Sequence, residues 1–122
     1  MKAFTVMCQF AFTRSTSSRS ARALPTWKNG RVVLLGDACH PMMPYMAQGA
    51  AMAMEDAAVL ARCLEGATSS DLPDCFARYE ATRKPRTSEV QLTSRRNEWM
   101  SRRTDPDWVY AYDAWSEPLA PA

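Results

Sequence analysis

The chain has 122 residues, the size of one domain, and with 47% of them hydrophobic it is able to bury roughly 65% of its extended-chain surface. That balance excludes collagenous, fibrous and highly charged disordered classes. Fifteen Lys and Arg against thirteen Asp and Glu leave a formal charge of +2, too little to point to nucleic acid.

The first 36 residues carry Lys2, Arg14, Arg19, Arg22, Lys28 and Arg31 without an acidic residue, a composition like that of an organellar transit peptide. Within them Phe4, Val6, Cys8, Phe10 and Phe12 alternate with Thr5, Met7, Gln9, Ala11 and Thr13, the period of a strand. The serine-rich stretch from Arg14 to Ser20 reads as a loop. Asn29-Gly30 then marks a tight turn, and Arg31 to Leu35 is a short apolar run of the kind that parallel sheets bury on both faces. Gly36-Asp37 ends it, and Pro41 and Pro44 keep the backbone out of a helix until about Gln48.

From Gly49 the alanine-rich, breaker-free segment through Glu65 predicts a helix closed by Gly66. Its few charges imply cover on more than one side. A second helix is expected from near Ser70, as N-cap, with Pro73 in its first turn and Leu72, Phe76 and Tyr79 on one stripe. Pro85 should kink or break it, with helix resuming from Arg86 to about Arg103 around Val90, Leu92 and Trp99. An aromatic tail from Trp108 to Trp115 follows, read as packing residues that covered a larger domain, with exposure in this chain the corollary.

The four glycines, Gly30, Gly36, Gly49 and Gly66, make neither a G-x-G pair nor a P-loop. Cys8, Cys39, Cys63 and Cys75 form no C-x-x-C pair and share the chain with one histidine, His40, which argues against a metal site and for reduced thiols. No apolar run approaches the ~20 residues that span a bilayer.

The stretch from Gly30 to Ala61 carries the chemistry. A carboxylate after the carboxyl end of a buried strand lies where open α/β sheets bind ligands, so Asp37 could accept hydrogen bonds from a sugar-alcohol chain. The amides of Gly49, Ala50 and Ala51 at a helix start favour developing negative charge, and their small size admits a planar ligand. His40 beside Pro41 reads as a structural, hydrogen-bonded residue more readily than a proton-transfer group. Cys39 and His40 are sequence neighbours whose side chains diverge, which disfavours a nucleophile and base pair. Arg95-Arg96 and Arg102-Arg103 read as a solvated helix face. The methionines from Met42 to Met54 serve equally as core filler or pocket lining.

The same stretch resembles the second FAD-binding motif of the class A flavin monooxygenases, the aromatic-ring hydroxylases. Ala47-Gln48-Gly49-Ala50-Ala51 after Pro44-Tyr45 is most similar to the salicylate-hydroxylase-like branch. The likeness continues through Arg78-Tyr79-Glu80, Arg83-Lys84-Pro85-Arg86-Thr87 and Ser94-Arg95-Arg96-Asn97, and ends in Asp107-Trp108-Val109-Tyr110 and Tyr112-Asp113-Ala114-Trp115. It implies that Gly36 and Asp37 meet the ribityl chain of FAD, that Pro44 lies beside the flavin ring, and that Gly49, Ala50 and Ala51 face its pyrimidine side. Many relatives carry asparagine at the position of Ala51, so only a backbone contact persists there. Tyr45 and Met46 become candidate substrate contacts.

The resemblance implies an α/β fold: part of a Rossmann-like FAD/NAD(P)-binding fold with one buried strand, a Gly-Asp loop and then mainly helices, with an N-terminal strand as a further element. Residues 1–24 match nothing in it, residues 25–116 form the C-terminal part of an FAD-binding monooxygenase domain, and 117–122 are a tail. The complete family enzyme uses NAD(P)H to reduce FAD and hydroxylates an activated aromatic ring. The GxGxxG unit and most of the substrate domain are absent here, so no catalytic residue is assigned and inactivity of the chain alone is expected. The implied partners are FAD, an aromatic small molecule and a complementing N-terminal fragment, with neither nucleic acid nor membrane. A cytoplasmic location is expected, the mitochondrion being the alternative that the N-terminus allows. The rival reading is a non-catalytic helical interaction module derived from such an enzyme.

Overall fold

The computed structural model describes residues 5–8, 24–42, 48–96 and 107–121. Three short strands make its sheet, in the order β1-β3-β2. Strands β2 (Lys28–Asn29) and β3 (Val32–Leu35) pair antiparallel, Lys28 opposite Val33 and Asn29 opposite Val32. Gly30 between them has φ 57, the left-handed value that a two-residue hairpin connection demands. On the other side β1 (Thr5–Cys8) runs parallel to β3, in register from Thr5 with Val32 to Cys8 with Leu35. The period-two pattern at the N-terminus therefore does form a strand over those four residues, and its continuation through Thr13 lies outside the described residues.

Strand β3 departs from the expectation of burial on both faces. Val33 and Leu35 are buried, whereas Val32 and Leu34 are only partly so. The helices supply the reason, since they pack on the Val33 and Leu35 face.

Helix α1 (Gly49–Leu64) begins at the expected residue, and Gly66 just beyond it has φ 69. It too is covered less than expected. Met52, Asp56, Val59, Leu60 and Cys63 form one buried stripe, while Met54, Ala57 and Ala61 face solvent. Alanine carries little apolar area, so leaving it exposed costs little.

Helix α2 (Leu72–Arg96) runs through Pro85 without a break, which corrects the second half of the expected kink or break. Proline removes one amide donor and frees the carbonyl four residues earlier. Pro85 and Ala81 are both exposed, so that carbonyl is left on the solvent side. The helix starts beside the expected Ser70 cap: Cys75 N donates to Asp71 O at 2.9 Å, and the Asp71 carboxylate accepts from Thr68 N and Thr68 Oγ1. Trp99 and the Arg102-Arg103 pair lie outside the described residues, as do the side chains of Arg95 and Arg96.

The core joins β3, α1 and α2 through Trp27, Val33, Leu35, Val59, Leu60, Leu72, Phe76 and Tyr79. Full burial of each such side chain contributes roughly 1.5–3 kcal/mol. A short helix α3 (Asp107–Tyr110) and the tail are tied on by three arginines. Arg62 donates to Ala114 O at 2.8 Å, Arg78 to Ala120 O at 2.8 Å, and Arg86 to Trp108 O and Val109 O, each at 2.9 Å. Among the described residues no helix is long and apolar enough to cross a membrane.

Candidate functional site

The chain leaves β3 through a left-handed Gly36, φ 64, into a single 3-10 turn, Gly36–Ala38. A side chain at that φ would be strained, so glycine is the residue that this exit admits cheaply. The turn closes on one carbonyl: Cys39 N and His40 N both donate to Gly36 O, at 2.9 and 3.0 Å, and Cys39 Sγ adds a third contact at 3.2 Å. Asp37 is half-buried, and no described residue donates to its carboxylate. Its Oδ1 lies 3.5 Å from where a Cβ on Gly49 would stand. The fold thus brings the Gly36-Asp37 exit of β3 against the first turn of α1.

That first turn is open. The first intrahelical bond runs from Met52 N to Gln48 O at 2.9 Å, no side chain caps the start, and no acidic residue lies in the first turn. The amides of Gly49, Ala50 and Ala51 therefore have no partner within the helix. Open amides, the positive end of the helix and a neighbouring uncommitted carboxylate together suit a ligand with hydroxyls beside an acceptor-rich, electron-accepting ring. The residues present fit FAD in this respect. Pro44, Tyr45 and Met46 lie outside the described residues.

Beneath the loop lies a charged network that sequence reasoning did not assemble. Asp56, without solvent exposure, accepts from His40 Nε2 at 2.5 Å and Gly36 N at 3.0 Å through Oδ2, and from Arg83 Nε at 2.7 Å through Oδ1. Arg83, equally buried, also reaches Glu55 Oε2 at 2.8 Å. Arg86 grips both oxygens of Glu55, at 2.8 and 2.9 Å, and lies 3.8 Å over the ring of Tyr112. Gln91 Nε2 donates to Pro41 O at 2.7 Å, pinning the loop further along. Trp27 packs against His40 and Tyr79, with ring centroids 5.3 and 5.7 Å away.

Burial alone would raise the Asp56 pKa, but hydrogen bonds and charge from His40 and Arg83 outweigh it and hold the carboxyl below its ordinary value. An ionised Asp56 requires the His40 proton on Nε2. Burial pushes the Cys39 thiol far up, and the Asp56 charge adds to the effect. Cys39 Sγ, a His40 ring nitrogen and an Asp56 oxygen lie within 4.8 Å of one another, and Asp56 is held at the same time by Arg83 Nε and Gly36 N. The arrangement is a hydrogen-bond network, with His40 in the structural place expected of it.

A signal for this network was in the sequence. Asp56 falls on the stripe Met52, Asp56, Val59, Leu60, Cys63, and Arg83 continues Leu72, Phe76, Tyr79. A lone charge on each of two apolar stripes points to pairing between them, because neither is buried without a partner.

Residues 9–94 match the model of the FAD binding domain family. The chain belongs to that family. This FAD binding domain is 54% identical over 96 residues to 6-hydroxynicotinate 3-monooxygenase of Pseudomonas fluorescens, which covers 79% of the chain and 25% of the relative. It is 53% identical over 72 residues to 3-hydroxybenzoate 6-hydroxylase 1 of Aquipseudomonas alcaligenes, covering 59% of the chain and 18% of that enzyme. Among solved structures, a salicylate hydroxylase substrate complex matches at TM-score 0.66 and 35% identity over 75% of the chain and 27% of the hydroxylase. CtdE in complex with FAD matches at TM-score 0.66 and 33% identity over 77% of the chain and 24% of CtdE. The chain thus spans about a quarter of the length of the two 6-hydroxynicotinate 3-monooxygenases that it matches over 79% of its own length. The resemblance to class A flavin hydroxylases, the α/β Rossmann-like class and FAD as cofactor all stand.

Proposed function

We propose that this FAD binding domain forms the flavin-facing segment of an NAD(P)H-dependent monooxygenase acting on a hydroxylated aromatic or N-heteroaromatic carboxylate. The observation that carries the reading is the Asp37 carboxylate, to which no described residue donates, beside a start of α1 with no side-chain cap. In this reading Gly36 and Asp37 hold the ribityl hydroxyls, and the amides of Gly49, Ala50 and Ala51 receive the electron-rich side of the ring. Pro44 lies along the ring, and Tyr45 and Met46 contact substrate. Bound there, FAD would supply the redox chemistry and oxygen activation for hydroxylating the ring.

The substrate class is supported by the relatives, named for 6-hydroxynicotinate, 3-hydroxybenzoate and salicylate, each a hydroxylated ring carboxylate. The remaining cofactor and substrate contacts come, in this reading, from a complementing segment equivalent to the part of the relatives that the chain does not span. Cys39, Cys63 and Cys75 are free thiols, the state that a reducing compartment maintains, which supports a cytoplasmic location.

The test is titration of FAD into the chain alone and into the chain mixed with the N-terminal portion of the Pseudomonas fluorescens enzyme. Flavin fluorescence and NADH oxidation with 6-hydroxynicotinate or salicylate are followed. Flavin uptake that needs both parts, with substrate-dependent NADH oxidation, is expected. Absence of flavin binding in every mixture overturns the reading.

A further inference from the structure

We propose that Asp56 is the positioning residue of the flavin loop, an assignment that rests on the flavin reading above. Asp56 stands about two turns into α1, the same helix whose first amides face the site. Its carboxylate also reaches out of that helix to Gly36 N at 3.0 Å, in the peptide that joins Leu35 to Gly36, one residue before Asp37. One buried side chain therefore fixes the two halves of the site, the β3 exit and the helix start, with respect to each other. The carboxylate also accepts from His40 Nε2 at 2.5 Å and Arg83 Nε at 2.7 Å. Held from three directions, it cannot rotate away from Gly36 without breaking a charged contact.

The loop needs such a hold. Gly36 is in the left-handed region at φ 64, where glycine has more freedom to lose than any other residue. Within the turn, the amides of Cys39 and His40 and the Cys39 thiol donate to Gly36 O. Those bonds close the turn upon itself, and Gly36 N to Asp56 ties it to α1. A buried pair that merely joined α1 to α2 would need Asp56 and Arg83 alone. The Gly36 amide has no part in that task.

The experiment uses the full chain, with FAD titrated into its mixture with the N-terminal portion of the Pseudomonas fluorescens enzyme and the Gly36 amide followed by NMR and hydrogen exchange. Asp56→Asn removes the charge. Asp56→Leu combined with Arg83→Met removes both ions, so no charge is left buried without a partner if the single variant fails to fold. Val59→Ala, on the same helix stripe, is the control for stability lost without touching the loop. Both Asp56 variants should speed exchange at Gly36 by about tenfold relative to α1 amides and weaken FAD by about tenfold or more. The control should leave both readings within about twofold. Unchanged Gly36 exchange in the Asp56 variants, or equal effects from the control, overturns the assignment. If the unsubstituted chain takes up no FAD even in that mixture, the flavin reading fails, and the Gly36 amide still decides whether Asp56 sets the loop.

Discussion

At the scale of single residues, Asp56 and Arg83 meet without solvent exposure, and removing one partner of such a pair costs roughly 3–5 kcal/mol because the other stays buried and charged. Arg83→Met should therefore lower the urea midpoint more than any substitution of an exposed arginine side chain. The pair also sets an acid limit. The Asp56 carboxyl is held below its ordinary value in the folded chain by His40 and Arg83, against the opposing effect of burial, so as pH falls the unfolded chain takes the proton first. The stability that Asp56 contributes is thus complete above its unfolded pKa of about 3.9 and is lost as pH falls through the lower folded value. Urea midpoints between pH 7 and pH 3 should show that loss, and Asp56→Asn should remove this component of the acid limb. An unaltered limb would contradict it. Cys39 offers a separate check, because burial first and the Asp56 charge second push its thiol far up. Alkylation at pH 8, read by mass spectrometry, should modify Cys39 at least about a hundredfold more slowly in the folded chain than in urea. Equal rates would contradict the burial.

At the scale of elements, Pro85 shows how a local rule yields to its surroundings. The residue lies inside a continuous α2, and its cost is contained because the carbonyl it frees, on Ala81, is at the exposed surface. Pro85→Ala should restore that hydrogen bond and raise stability by roughly 1–3 kcal/mol, measured as an increased urea midpoint. A lower midpoint would mean that the proline does something for the fold beyond being tolerated. Arg86, one residue on, joins Glu55, the last carbonyls of α3 and the face of Tyr112. Lysine cannot reproduce that planar, bidentate grip, so Arg86→Lys should cost about 1–2 kcal/mol and speed hydrogen exchange at Ala111, whose amide closes α3 on Asp107. What was legible in the sequence follows the same division. The Gly30 turn, β3, and both ends of α1 are decided within a few residues by glycine conformation and alanine propensity. The partners of β3 were not legible, because pairing with β1 joins Thr5 to Val32 across a long stretch of chain. Of the site, the Gly36-Asp37 exit and the helix start could be read as motifs. Asp56 and Arg83 point to each other only once both stripes are drawn, since each looks by itself like an ordinary surface charge and the contact spans 27 residues of sequence.

At the scale of the whole molecule, the apolar surface is unevenly distributed. Val109 and Ala114 are buried in the core or beside it, while Trp108, Tyr110 and Trp115 are exposed at 37%, 58% and 67%. A tail held by Arg62, Arg78 and Arg86 through backbone carbonyls keeps its position without burying the rings of Trp108 and Trp115, which present apolar surface. Two arrangements make opposite demands on FAD. If the chain acts as a flavin segment, association with the N-terminal portion of a related hydroxylase should be strengthened by FAD, which would bridge Asp37 and the α1 amides to sites on the other part. If it acts as a helical interaction module, association should proceed equally well without flavin. Size-exclusion chromatography with and without FAD separates the two. The flavin reading expects a complex whose apparent affinity rises at least about tenfold with saturating FAD, the linkage that preferential binding to the assembled form requires. A tight oligomer of the chain alone, indifferent to FAD, would instead assign the exposed tryptophans to a protein interface and leave the Gly36-Asp37 loop without its ligand.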